Sequence, residues 1–215
     1  MTAVKRTRRG LVVSFDEVEA SLLRHLVGEV RTLLAEDEPS VRDAPRTDPA
    51  RSAGRQAVGP GLPTDAELTA LTGLGGLAQS ARDLAGPGDR EAAGRARPDD
   101  PALARLLPDG YRDDPDAAGE FRRLTESSLR REKVAAAERM LAALPADGPG
   151  EVRLDAAATE TWLGTLNDVR LALGTRLDVT EEMVEPDPDD PDAPAYVVYL
   201  WLTELQGVLV EVAEG

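Results

Sequence analysis

The chain contains no cysteine among its 215 residues. Disulfide frameworks, thiolate nucleophiles, cysteine zinc sites and thiol redox switches are thereby excluded together. Histidine occurs once, at His25, so the common zinc sets, histidine triads and cysteine–histidine pairs cannot be assembled. Aromatic residues amount to 3%, which leaves the core to aliphatic side chains. Lysine is almost missing: Lys5 and Lys133 stand against 23 arginines in a basic total of 25. No run of about 18 apolar residues is free of charge. The basic start, with Lys5, Arg6, Arg8 and Arg9, lacks the apolar stretch of a signal peptide. The expectation is a cytoplasmic protein with no membrane association.

What the sequence has in excess is acid. Forty acidic residues give a formal charge of −15, and the excess is uneven. Residues 151–215 hold 15 acidic and 3 basic side chains, a balance of −12. Such a field repels nucleic-acid phosphates and favours basic protein partners, so direct nucleic-acid binding would need a local basic patch.

Periodicity points to a mainly α protein: a single-domain helical bundle spanning 1–215, with a small N-terminal β-hairpin element and long Pro/Gly-rich loops. Val4 to Phe15 reads as two short strands around a turn at Arg9-Gly10, with Ser14 and Asp16 able to cap the helix that follows. In that helix Leu22, Leu23, Leu26, Val27, Val30, Leu33 and Leu34 recur at three- and four-residue steps, the spacing of one apolar face. Residues 37–64 carry five prolines and no periodicity, and are expected to be a mobile loop. A short helix from Thr64 or Asp65 through Leu71, resuming over 77–84, and a linker at 85–99 follow.

Asp99 or Asp100 can cap a short helix with Pro101 in its first turn. A long helix is expected from Asp116 to Leu144, then a strand over Val152–Leu154 beside the hairpin. Asp155 caps the next helix, to about Leu177. An acidic loop occupies 185–194, and the last helix runs from Ala195 to Val212. That last helix is apolar over most of its circumference, which predicts a central core position. Trp162 and Trp201 are read as core residues, with a partner-binding anchor as the alternative.

No residue set points to catalysis, a metal or a cofactor. The run Asp187 to Asp192 lacks the glycine turn and distal glutamate of a calcium loop. The Gly73-Leu-Gly-Gly76 stretch lacks the lysine of a phosphate loop. Two features remain as candidate partner-binding sites. Arg122, Arg123, Arg130 and Lys133 share one side of the long helix, with Glu126 among them; they form either a ladder of exposed ion pairs or a contact for an acidic partner. Asp168 and Arg170 lie in the Trp162 helix, Arg170 on its apolar side, where a guanidinium needs a partner. That partner is either an interhelical group or a ligand carboxylate.

Several segments carry a resemblance. Arg9-Gly-Leu-Val-Val-Ser-Phe15, Asp100-Pro-Ala-Leu-Ala-Arg-Leu-Leu-Pro108 with Tyr111, Glu120-Phe-Arg-Arg-Leu-Thr125, Trp162-Leu-Gly-Thr-Leu-Asn-Asp-Val-Arg-Leu-Ala-Leu-Gly174 and Tyr199-Leu-Trp-Leu202 together resemble an actinobacterial family labelled AosR, for actinomycete oxidative-stress transcriptional regulator. The resemblance implies a cytoplasmic regulator that contacts the transcription machinery, through a sigma factor or RNA polymerase. It also implies thiol oxidation as the signal in members with a cysteine pair, which this chain cannot inherit. A neighbourhood with the Clp protease adaptor implies a proteostasis role as an alternative. From the residues themselves, a homo-oligomer and an enzyme using carboxylates near Arg170 also stay open.

Overall fold

The computed structural model describes residues 2–35, 64–72, 98, 100–111, 113–181, 186–187 and 189–215. All of the expected mobile loop at 37–64 except Thr64, the resumed helix at 77–84 and most of the 85–99 linker lie outside the described residues.

The protein is mainly α, as the periodicity predicts. β1 (Ala3–Thr7) and β2 (Gly10–Phe15) form the hairpin, and β3 (Gly150–Leu154) joins β2 on its other side. The sheet is antiparallel throughout, in the order β1-β2-β3, with Leu11 opposite Leu154 and Val13 opposite Val152. The turn residues are Arg8 and Arg9, one place earlier than expected. Gly10 follows them at φ +126°, and a Cβ there would lie 2.0 Å from the Leu154 carbonyl oxygen. Only glycine allows that approach of β3.

α1 (Glu17–Ala35) begins with a reciprocal cap. The Glu19 amide donates to Asp16 and the Asp16 amide donates to Glu19, both at 2.9 Å. This is the capping-box arrangement. The Glu19 backbone hydrogen bond is the main reason that the Asp16 carboxyl is held below its ordinary range. All seven apolar residues named for this helix are buried. α2 (Asp65–Thr72) is capped by Thr64 paired with Glu67. α3 (Pro101–Leu106) starts at Asp100, whose carboxylate accepts from the Ala102 and Leu103 amides.

α4 (Pro115–Ala143) is capped by Asp114, and α5 (Ala156–Arg176) by Asp155. α6 (Ala193–Glu214) begins inside the stretch expected to be acidic loop. The loop therefore ends at Asp192, because Pro194 can sit in a helix's first turn, where its missing N–H leaves no bond unmade. Ahead of it, Asp187 and Asp190 fold the chain into turns by accepting from the Asp189 and Asp192 amides.

The core is one cluster of aliphatic side chains around Trp162, whose indole stacks on Phe15 with centroids 5.9 Å apart. The helix at its centre is α5, which packs on α1, α3, α4, α6 and β3. The expectation that the last helix is central is corrected here. α6 packs on α5, β1, β2 and α2 through one side only: Ala195, Val198, Leu202, Leu205 and Leu209 are buried, while Val197, Leu200 and Val210 are exposed. Trp162 is a core residue; Trp201 is half-buried on the flank of α6.

Candidate functional site

The candidate charged residues fall along α4 and α5, and their partners are inside the molecule. Helical spacing puts Arg122, Arg130 and Lys133 on one side of α4, and that side faces protein. Arg122 is buried and its Nε donates to Asp109 at 3.1 Å, in an ion pair with the segment before α4. Arg130, 4% exposed, binds Glu126 one turn earlier with both Nε and Nη2, at 2.9 and 2.8 Å. Its Nη1 reaches the Leu34 carbonyl at 3.3 Å. A cation there lies against the last turn of α1, the end of the helix dipole that favours positive charge. Arg123 is the outward member, half-exposed and 3.8 Å from Glu120. The expected ladder of solvent-facing pairs is thus corrected: two of its arginines are buried struts joining α4 to its neighbours.

Lys133 and Asp168 meet across the α4–α5 interface at 2.5 Å, with side chains 21% and 10% exposed. Burial raises the Asp168 carboxyl above its ordinary value, and the Lys133 ammonium only partly opposes the rise. Desolvation wins because a carboxylate in a poor solvent is costly even beside a cation. Two residues further on, about 200° around the helix, Arg170 reaches the opposite neighbour. It donates to Thr203 Oγ1 at 3.1 Å and Gln206 Oε1 at 2.5 Å, and lies 5.5 Å over the Tyr199 ring. Gln206 in turn donates to the Leu163 carbonyl at 3.2 Å. Asp168 and Arg170 therefore tie α5 to α4 on one side and to α6 on the other. The interhelical partner foreseen for Arg170 is present, as a hydroxyl, an amide and a ring in place of a carboxylate.

Other long-range bonds had no local signature. Arg176, in the last turn of α5, pairs with the free oxygen of Asp100 at 3.2 Å, while that carboxylate caps α3. Arg6 of β1 donates to the Val212 and Ala213 carbonyls at 3.2 and 3.1 Å, closing the end of α6. Each joins residues far apart in sequence, so no spacing rule finds it.

The surface offers little that converges on a small molecule. A cleft of about 380 Å³ is lined by Pro115, Asp116, Gly119, Glu120 and Arg123, and another of about 130 Å³ lies between α1 and the turn at 145–148. Arg170 lines neither. Among the described residues no group of three or more His, Asp and Glu side chains could hold a metal ion. Two surface features are apolar: Val197 and Leu200 on α6 are 62% and 45% exposed, and Tyr111, Phe121 and Leu124 form a second exposed group at and just before the start of α4. Exposed apolar residues grouped at helical spacing are the usual mark of a contact surface.

Comparison with known proteins adds the following. A family model described as a domain of unknown function, DUF2017, matches residues 1–213. A Mycobacterium leprae protein provisionally named oxidative stress regulator AosR is 32% identical over 206 residues, covering 89% of this chain and 77% of that protein. The Mycobacterium tuberculosis H37Rv and Mycobacterium bovis proteins named oxidative stress regulator AosR are each 38% identical over 133 residues. Those two matches cover 55% of this chain and 61% of each relative. No solved structure matches the chain.

Proposed function

This chain belongs to the DUF2017 family, together with the mycobacterial AosR proteins, and on that premise we propose that it is a non-enzymatic cytoplasmic regulatory protein acting through protein–protein contacts. The observation that carries the reading is the regulator name shared by relatives that align along most of the chain. The chemistry of the surface agrees with it. The candidate charges Arg122, Arg130, Lys133, Asp168 and Arg170 are spent on contacts within the protein, while the exposed part of α6 presents apolar and acidic side chains. A surface of that kind suits a basic protein partner better than a nucleic acid.

The partner is a component of the transcription machinery, a sigma factor or RNA polymerase. A thiol-oxidation signal does not extend to this chain, which has no cysteine to oxidise. Contact with nucleic acid, if direct, falls to Lys5, Arg8 and Arg9, which are exposed on and beyond β1, and not to Arg122 or Arg130.

Affinity purification of the tagged protein from its native cells, with and without oxidant and scored by mass spectrometry, tests the reading. Enrichment of polymerase or a sigma factor is expected, equal in both conditions. Recovery of Clp components alone would replace transcription with proteostasis, and recovery of the protein alone would replace it with self-assembly. The Lys5→Ala, Arg8→Ala, Arg9→Ala variant, measured for DNA affinity across salt concentrations, checks direct binding.

A further inference from the structure

The exposed residues of α6 are not scattered. Val197, Leu200, Glu204, Gly207 and Glu211 follow one another at steps of three, four, three and four, and every one is exposed. That alternation is the repeat of a seam that receives a second helix, knobs into holes. It runs about 21 Å along the helix at 1.5 Å per residue. Trp201 and Val208 border it on one side, half-buried, and Tyr196 and Val210 on the other. The first half of the seam is apolar and the second half is acid around a glycine. A Cβ added at Gly207 would meet nothing within 4 Å. The glycine therefore leaves a notch where a bulky side chain can enter. The platform is held in place from behind by Arg170 through Thr203 and Gln206, and at its end by Arg6.

Charge decides what fits. α6 carries Glu204, Glu211 and Glu214 and no basic residue, in a third of the chain with a balance of −12. A second copy laid antiparallel with the whole seam overlapped would centre Glu204 on its own counterpart and set Val197 against Glu211. Like charges directly opposed are destabilising, and an apolar group facing a carboxylate gains little. We propose that the seam of α6 docks a basic amphipathic helix of a protein partner. Its apolar residues sit on Val197 and Leu200, one large side chain fills the notch at Gly207, and lysines or arginines face Glu204 and Glu211. The proposal rests on the protein-binding reading above and locates it on one surface.

The test uses the whole protein and a synthetic peptide of roughly 18 residues, five helical turns, with leucine at the seam positions, lysine elsewhere and no aromatic residue. A peptide of the same composition in scrambled order is the control. Trp162 is 2% exposed and gives a constant signal, so Trp201 reports docking. The expected result is a blue shift of emission at one peptide per chain, with the ordered peptide binding more tightly than the scrambled one. Leu200→Glu, with its melting temperature unchanged, should weaken the ordered peptide about tenfold or more, as removal of a central interface anchor does. Glu204→Lys with Glu211→Lys should transfer preference to a leucine–glutamate peptide.

Equal binding of both peptides, or no effect of Leu200→Glu, would overturn the proposal. So would a wild-type dimer in sedimentation equilibrium that Leu200→Glu dissociates, which would give the seam to a second copy. Because α6 has the length and composition of a membrane-crossing helix, capture by phosphatidylcholine vesicles that depends on Leu200 would give it to lipid. Repeating the native-cell purification with Leu200→Glu separates the two levels. The same partners from both chains would remove only the seam, whereas no partner from either would remove the protein-binding reading itself.

Discussion

α5 and α6 are nearly the same length, 21 and 22 residues, and each carries one tryptophan. α6 is the more apolar of the two, yet α5 is the more buried. α5 has Glu160, Asp168, Arg170 and Arg176 along it and is packed by five other elements. α6 has three glutamates and no positive charge, and shows a whole side to solvent. The difference teaches that apolar content around a helix does not measure how central it is. A central helix in a small bundle needs polar groups where it bridges its neighbours, as Asp168 does with Lys133 and Arg170 with Gln206. Apolar surface beyond what the core takes up is then a sign of something outside the domain.

The largest effect that should separate the two helices comes from their tryptophans. Trp162→Ala, in the core, is expected to cost about 3–5 kcal/mol. Trp201→Ala, on a half-buried flank, should cost about 1–2 kcal/mol, in proportion to the smaller area removed from water. Urea unfolding of both variants measures the gap. Equal costs would mean that α6 is as central as α5 and would break the comparison.

The next effect concerns the ion pair that makes α5 a bridge. Lys133→Met leaves Asp168 buried without its cation and should cost about 2–3 kcal/mol at neutral pH. The sign of the pH dependence follows from the raised Asp168 carboxyl. The folded chain holds that proton more tightly than the unfolded chain, so the contribution of Asp168 is fullest below the ordinary value of 3.8 and falls as pH rises through the window above it. Removing Lys133 takes away the interaction that opposes burial, so the carboxyl should titrate at higher pH still. Carbon-13 NMR of the Asp168 carboxyl, with urea midpoints across acid pH, checks both. A downward move in the variant would show that Lys133 does not oppose the effect of burial.

The smallest effect is one of space. Gly207→Ala should stabilise the isolated protein by about 1 kcal/mol, since the methyl enters open space and alanine suits a helix. Gly174→Ala on α5 should gain less or nothing, because its Cβ would lie 3.1 Å from the Tyr199 ring. Thermal melts of the pair measure the contrast. If Gly207→Ala gains nothing, α6 is frayed at that point and a poor platform.

Much of the fold was legible because its signals are local. The apolar spacing of α1 and the capping side chains Asp16, Asp100 and Asp155 act within one helical turn, and each performs as its position suggests. Asp114 was missed as the cap of α4 because Pro115, which looks like a barrier, serves as a first-turn residue. Among the candidate charges, the interhelical setting of Arg170 is legible in the sequence, while that of Arg122 and Arg130 is not. Periodicity shows that Arg122 and Arg130 share a side of α4 but not that α1 and the Asp109 segment lie against it. For the same reason the apolar sides of α6 could be counted from sequence, while the side that meets the core could not be chosen.

Arg6 holds the end of α6 across 206 positions of sequence, and β2 likewise waits for β3 at residues 150–154. During synthesis the hairpin emerges before the strand and helix that pack on it. Contacts of such separation slow folding more than they weaken the final state. Until β3 is made, the growing chain therefore carries an unpaired edge of β2, and pairing of β3 closes it. An incomplete product ending before Gly150 would leave that edge of β2 open to pairing with other chains.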